Sequence, residues 1–144
     1  TVALPTVRQL AAEGTPFVGL LYCGLILTEK GVRVIEFNAR FGDPETQVVL
    51  ARLATPLAQV LLAAAQGRLD TLPPLRWLPD AAVTVVVAAH GYPGSVRAGD
   101  PVDGVEEAEA VPGVHVLHAG TATDDGALVS AGGRVLSVVG VGAD

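Results

Sequence analysis

Apolar residues at Leu4, Val7, Leu10 and Ala11 recur at the spacing of one helix face, and Gly14 follows as a natural C′ stop. From Phe17 to Leu27 the pattern becomes a continuous apolar run, which predicts a buried strand rather than an alternating one. Thr28 to Gly31 reads as a turn and Val32 to Phe37 as a second strand, giving an antiparallel hairpin. Asp43-Pro44 carries a helix-start signal, with Asp43 as N-cap and Pro44 at the first helical position, and the helix should run to about Ala54. Thr55-Pro56 repeats the signal for a second helix that ends near Gly67. Leu, Val and Ala nearly all round that helix predict that it is buried.

Residues 71–80, with Pro73, Pro74 and Pro79, read as a linker. Beyond them the pattern shifts to strands and turns. Val83 to His90, Val114 to His118, Ala127 to Ser130 and Arg134 to Val139 are the strand candidates. Gly91-Tyr92-Pro93-Gly94 and Ala131-Gly132-Gly133-Arg134 are turns, the latter suited to a two-residue hairpin. The expected architecture is α+β: a mixed segment over 1–70, a linker over 71–80, and a small, mostly antiparallel β domain over 81–144. No internal repeat or low-complexity tract interrupts it.

Composition narrows the partners. Half of the 144 residues are hydrophobic and 17% are charged, which suits a packed interior rather than disorder. The net charge of −6 argues against binding nucleic acid through phosphate neutralisation, which needs clustered Lys and Arg. The apolar run ending at Leu27 is too short to span a bilayer, for which about 20 residues are needed. The opening helix lacks the cationic start of a signal peptide. No membrane partner and a cytoplasmic location are expected. The single cysteine, Cys23, excludes an internal disulfide and is expected to be buried and inert. Lys30 is the only lysine and sits in a turn, although nucleotide sites commonly place lysines against phosphates.

Chemistry concentrates in Val34-Ile35-Glu36-Phe37-Asn38-Ala39-Arg40-Phe41-Gly42-Asp43-Pro44-Glu45-Thr46-Gln47. Alternation along a strand puts Glu36, Asn38 and, if extension persists, Arg40 on one face, with Ile35 and Phe37 on the other. A carboxylate and an amide oxygen two residues apart offer hard ligands of the kind Mg²⁺ takes, with phosphate and water completing the octahedron. Arg40 beyond them could hold a phosphate oxygen through its planar fork. The same spacing also suits a solvated strand face leading into a turn, and an N-cap role alone would account for Asp43.

Residues 35–47 resemble, nearly residue for residue, the signature of the glycinamide ribonucleotide synthetases (phosphoribosylamine–glycine ligases), an ATP-grasp family. The similarity continues in order through Pro5-Thr6-Val7, Ala11-Ala12-Glu13-Gly14, Tyr22, Gly24-Leu25, Gly91-Tyr92-Pro93-Gly94, His118-Ala119-Gly120-Thr121 and Gly132-Gly133-Arg134-Val135-Leu136. The resemblance implies the C-terminal part of an ATP-grasp core (an antiparallel hairpin plus two helices), then the ligase's C-terminal β domain without its final helix after Gly142. It implies Mg²⁺ (or Mn²⁺) held by Glu36 and Asn38, with ATP as co-substrate. Arg40 is implied to face the transferring phosphate or the glycine carboxylate, and Asp43 and Glu45 the glycine ammonium. The implied reaction joins glycine to phosphoribosylamine through glycyl phosphate, in purine synthesis. The substrate domain, the first part of the ATP-grasp core and the lysine-bearing lid belong to a missing N-terminal part, so the 144-residue chain alone is expected to be inactive. The alternatives are a fragment of another ATP-grasp carboxylate–amine ligase, against which residues 39–47 argue, or a non-catalytic structural module.

Elsewhere the residues say less. His115 and His118, three apart on a strand, should face opposite ways and share no metal. His90 ends a strand. Glu106, Glu107 and Glu109 form an acidic run expected to face solvent. Ser95, Ser130 and Ser137 lack a nucleophile-elbow context. In the β domain Arg134 is the candidate substrate contact.

Overall fold

The computed structural model describes residues 1–143 of the chain, which divide into two units. The first comprises residues 1–43 and 53–77, and the second residues 44–52 and those from Leu78 onward.

In the first unit, helix α1 (Ala3–Ala12) ends as its glycine requires. Gly14 has φ of 81°, its N–H donates to the Ala11 carbonyl at 3.1 Å, and the Thr15 N–H reaches the Leu10 carbonyl at 3.0 Å. These two bonds form a Schellman cap, which satisfies carbonyls the helix itself leaves unpaired. Strands β1 (Tyr22–Thr28) and β2 (Gly31–Asn38) make the expected antiparallel hairpin, tightened by the Thr28 hydroxyl donating to the Gly31 carbonyl at 2.8 Å. Phe17 to Leu20 stays outside the strand, with Gly19 at φ 139° interrupting the run. The predicted burial is absent. Leu25, Ile26, Val32, Val34 and Ile35 are exposed, Leu27 is 81% exposed, and Cys23 is half-buried. Two strands form the whole sheet, so no third strand covers its edges among the described residues.

The helix predicted for residues 57–67 forms, as α3 (Leu57–Ala65), and Gly67 at φ 65° caps it in the same way as Gly14 does. Of its residues only Ala63 is buried, while Leu61 and Leu62 are exposed, contrary to the expectation from composition. A single 3-10 turn (Leu69–Thr71) follows. Part of the proline-rich stretch is anchored: Trp77 bridges Leu53, and the Arg76 carbonyl accepts the N–H groups of Ala54 at 2.9 Å and Thr55 at 3.3 Å.

The second unit holds the core. Its central sheet has the order β3 (Ala81–Ala88), β7 (Arg134–Gly142), β4 (Val114–His118), antiparallel throughout. Long β7 lies in the middle and is buried accordingly, with Val139 only 2% exposed and Val135, Leu136 and Ser137 also buried. Helix α2 (Glu45–Ala51) packs against β3 and β7. It is shorter than predicted, and Pro44, not Asp43, is its N-cap residue, with no side-chain cap bond. Helix α4 (Val105–Glu109) went unpredicted because the acidic run hid the apolar spacing of Val105 and Ala108, which pack on the core formed by Ala89, Val116, Val135 and Leu136. Glu106 and Glu107 are exposed, as expected.

The final correction concerns turns. Gly132-Gly133 joins no hairpin. Instead β6 (Ala127–Ser130) pairs with β5 (Thr121–Asp124), an element the pattern reading missed, through Asp125-Gly126. Both turn residues have positive φ, 45° and 82°, the geometry that Asp-Gly supplies in two-residue hairpins. At Gly132 the chain crosses residue 120 instead: a Cβ added to Gly120 would lie 2.7 Å from the Gly132 Cα and from the Arg134 carbonyl oxygen.

Candidate metal and substrate site

The last three residues of β2 carry the candidate metal ligands. The Asn38 Nδ2–H donates to Glu36 Oε1 at 2.8 Å, so the two side chains share one face, as the alternation predicted. Across the hairpin Tyr22 pairs with Asn38 and Gly24 with Glu36, with a bulge between Gly24 and Leu25. Gly24 is buried and supplies clearance: a Cβ there would lie 3.2 Å from Glu36 Cγ. The carboxylate therefore rises from a floor that no larger residue fits without displacing it. Glu36 is exposed and Asn38 half-buried, which leaves their oxygens open to a ligand from solvent.

The donor set fits a small hard cation. The amide turns its nitrogen to the carboxylate. Rotation about the terminal torsion, which is broad for an amide, brings its oxygen to the carboxylate side. Among the described residues no three His, Cys, Asp or Glu side chains are grouped to hold a metal.

Extension does not persist to Arg40. The strand ends at Asn38, residues 39 and 40 bend, and Arg40 Nη1 donates to the Phe41 carbonyl at 2.7 Å. Asp43 lies in the following turn, next to the N-cap rather than at it. Glu45 opens α2 and is exposed, where its charge complements the positive end of the helix.

In the second unit Arg134 starts β7, and its Nε donates to the Tyr92 hydroxyl at 3.0 Å. Tyr92 was not singled out from the sequence, although its Gly-Tyr-Pro-Gly turn was. His115 and His118 follow different courses: His115 pairs with Val139, while His118 pairs with Leu136 and its Nδ1 lies 3.1 Å from Thr121 Oγ1.

Residues 1–46 match the ATP-grasp (A) domain of phosphoribosylglycinamide synthetase and residues 82–144 its C domain. The whole chain is 64% identical to part of the phosphoribosylamine–glycine ligase of Streptomyces coelicolor, covering 35% of that protein. It is 58% identical to the Mycobacterium tuberculosis ligase, with 97% of the chain aligned to 32% of that protein. The crystal structure of the Thermotoga maritima phosphoribosylamine–glycine ligase superposes on 94% of the chain with a TM-score of 0.73 and 31% identity, covering 32% of that structure. The chain thus spans about a third of the length of these relatives. With ATP-grasp sequence running into C-domain sequence in one polypeptide, the chain belongs to the phosphoribosylglycinamide synthetase family.

Proposed function

We propose that this chain is the C-terminal part of an ATP-dependent phosphoribosylamine–glycine ligase of cytoplasmic de novo purine biosynthesis. The observation that carries the reading is the Glu36–Asn38 pair, side by side at a strand end within a segment that matches the family. In this reading residues 1–70 finish the ATP-grasp domain, 71–80 link it onward, and 81–144 are the C-terminal β domain.

Glu36 and Asn38 would hold Mg²⁺ or Mn²⁺ through the carboxylate and the rotated amide oxygen, with ATP phosphates and water as the remaining ligands. A cation there supplies charge neutralisation across the phosphates and alignment for in-line transfer. Arg40 would exchange its bond to the Phe41 carbonyl for a phosphate oxygen or the glycine carboxylate, a stronger, charge-assisted partner. Asp43 and Glu45 would attract the glycine ammonium, and Arg134 would contact phosphoribosylamine. The glycine carboxylate attacks the γ-phosphate of ATP to give glycyl phosphate. The amine of phosphoribosylamine then displaces phosphate from that carbonyl, leaving glycinamide ribonucleotide, ADP and phosphate.

The relatives are about three times as long as this chain, and the exposed hairpin fits a sheet that continues in the rest of such a protein. That remainder would supply the substrate domain, the first part of the ATP-grasp core and the lid. The decisive assay is glycine-dependent ADP release by the intact ligase carrying Glu36→Ala or Asn38→Ala. Loss of roughly a hundredfold or more is expected, since a metal contributes several kcal/mol and each factor of ten is about 1.4 kcal/mol. Near-normal turnover in either variant would remove the metal assignment.

A further inference from the structure

The register of the β1–β2 hairpin slips once. Gly24 pairs with Glu36, but the next pair is Leu25 with Val34, so Ile35 is an extra residue on β2. Paired residues of an antiparallel ladder lie on one face, and the faces alternate along each strand. Beyond the bulge the sides are therefore exchanged. Val32 and Val34 pair with Leu27 and Leu25, and join Cys23 and Phe37 on one face. Arg33 pairs with Ile26, and so stands on the face of Gly24, Glu36 and Asn38. Unbroken alternation over residues 32–38 would have put two valines beside Glu36 and Arg33 on the opposite side. Bulges re-aim side chains in this way and concentrate next to functional sites.

The extra residue brings a cation towards the candidate metal ligands. Ile26 is two residues beyond Gly24, so Arg33 and Glu36 lie about 7 Å apart along the hairpin at the usual rise of a strand. Arg33 is exposed, and among the described residues it forms no ion pair with Glu36, whose Oε1 accepts the Asn38 amide. A charged residue on an open hairpin also discourages edge pairing, but either face would serve that purpose. The face that carries Glu36 gives the guanidinium access to the same anionic ligand as a metal held there.

We propose that Arg33 is a further nucleotide contact of this site, donating to a phosphate that is not transferred. The inference rests on the ligase reading, in which Glu36, Asn38 and a cation hold the triphosphate of ATP. The strand sets the polarity. Arg40 follows the ligand pair in sequence and Arg33 precedes it. With the transferred phosphate at the Arg40 end, the phosphates nearer the nucleoside lie towards Arg33. Its planar fork takes two oxygens of one phosphate, or one from each of two neighbours. A contact to groups that stay in place during transfer holds ground state and transition state alike, so it acts on nucleotide affinity rather than on turnover.

ADP, which keeps both of the phosphates that are not transferred, is the probe, titrated with Mg²⁺ into the intact ligase by calorimetry. Arg33→Gln should raise the ADP Kd about tenfold, with the KM for ATP rising alike and kcat nearly unchanged. Arg33→Lys, which keeps the charge without the fork, should fall between. Arg8→Gln removes the same charge from an exposed position of α1 and should leave ADP binding at the parent value. If Arg33→Gln loses the circular dichroism of the folded protein, Arg33→Lys carries the comparison. The proposal is overturned by unchanged ADP affinity in the folded Arg33 variant, by an equal loss in Arg8→Gln, or by a fall in kcat with the KM for ATP unmoved. Glycine-dependent ADP release by the parent protein reports on the ligase reading separately, so an active enzyme whose Arg33→Gln variant binds ADP normally would sink this contact alone.

Discussion

At the end of β2 an amide and a carboxylate hold each other at 2.8 Å over a glycine that leaves the carboxylate no slack. Two predictions belong to this scale. Asn38→Asp replaces the amide by a second carboxylate, a hard oxygen ligand that needs no rotation. Electron paramagnetic resonance of Mn²⁺ with the intact protein and ATP should therefore show binding retained in Asn38→Asp and lost in Asn38→Leu. Equal binding in all three proteins would place the cation elsewhere. Gly24→Ala brings a methyl to 3.2 Å from Glu36 Cγ, tighter than ordinary contact, so the carboxylate must move by a few tenths of an ångström. The Mn²⁺ dissociation constant should rise severalfold while the circular dichroism stays unchanged, because misplacement at this scale is felt in coordination before it is felt in folding. The shared face of Glu36 and Asn38 was legible from alternation. The bend at Arg40 was not, because strand periodicity carries no signal of where extension stops. Neither was the Tyr92–Arg134 bond, which joins residues 42 apart in sequence.

Among the elements, those with strong local signals formed where the pattern put them: α1 with its glycine cap, the β1–β2 hairpin, α3, and strands β4 and β6 with the bounds expected. The failures have physical causes. Burial was inferred from apolar composition, but burial depends on having something to pack against, and a two-stranded sheet offers little. The hairpin at Gly132-Gly133 was inferred from turn chemistry alone, whereas those glycines serve a chain crossing. The Asp-Gly pair at 125–126, the stronger hairpin signal, was overlooked. Gly120→Ala should accordingly destabilise the chain by about 1–3 kcal/mol, because its Cβ would meet backbone atoms that cannot swing aside. Gly140→Ala, with open space around its Cβ, provides the comparison. Thermal melting of both variants decides it, and equal midpoints would show that the crossing accommodates a methyl. The open hairpin predicts concentration-dependent self-association of the isolated chain, since unpaired edges with exposed apolar residues template further pairing. Sedimentation velocity should show it reduced in Leu27→Glu; an unchanged monomer at all concentrations in the parent chain would refute the idea.

For the molecule as a whole, the 144-residue chain should form no glycinamide ribonucleotide when given ATP, glycine and phosphoribosylamine. Its candidate ligands number two, and Mg²⁺ bound at so few protein oxygens depends on phosphates held by other groups. Detectable product from the purified chain would contradict this directly. No helix among the described residues is long and apolar enough to cross a membrane.

The placement of α2 bears on how such a ligase can be dissected. The helix follows β2 in sequence but folds with the second unit, and residues 53–77 return to the first before the chain comes back at Leu78. The backbone therefore passes between units at three junctions. A protein engineer who severed the polypeptide within the proline-rich stretch, the obvious seam, would carry α2 away from the strands it covers and strip the flank of β7. Excision beginning at Pro44 would keep that helix with its sheet, at the expense of bringing along residues 53–77 as an unsupported loop.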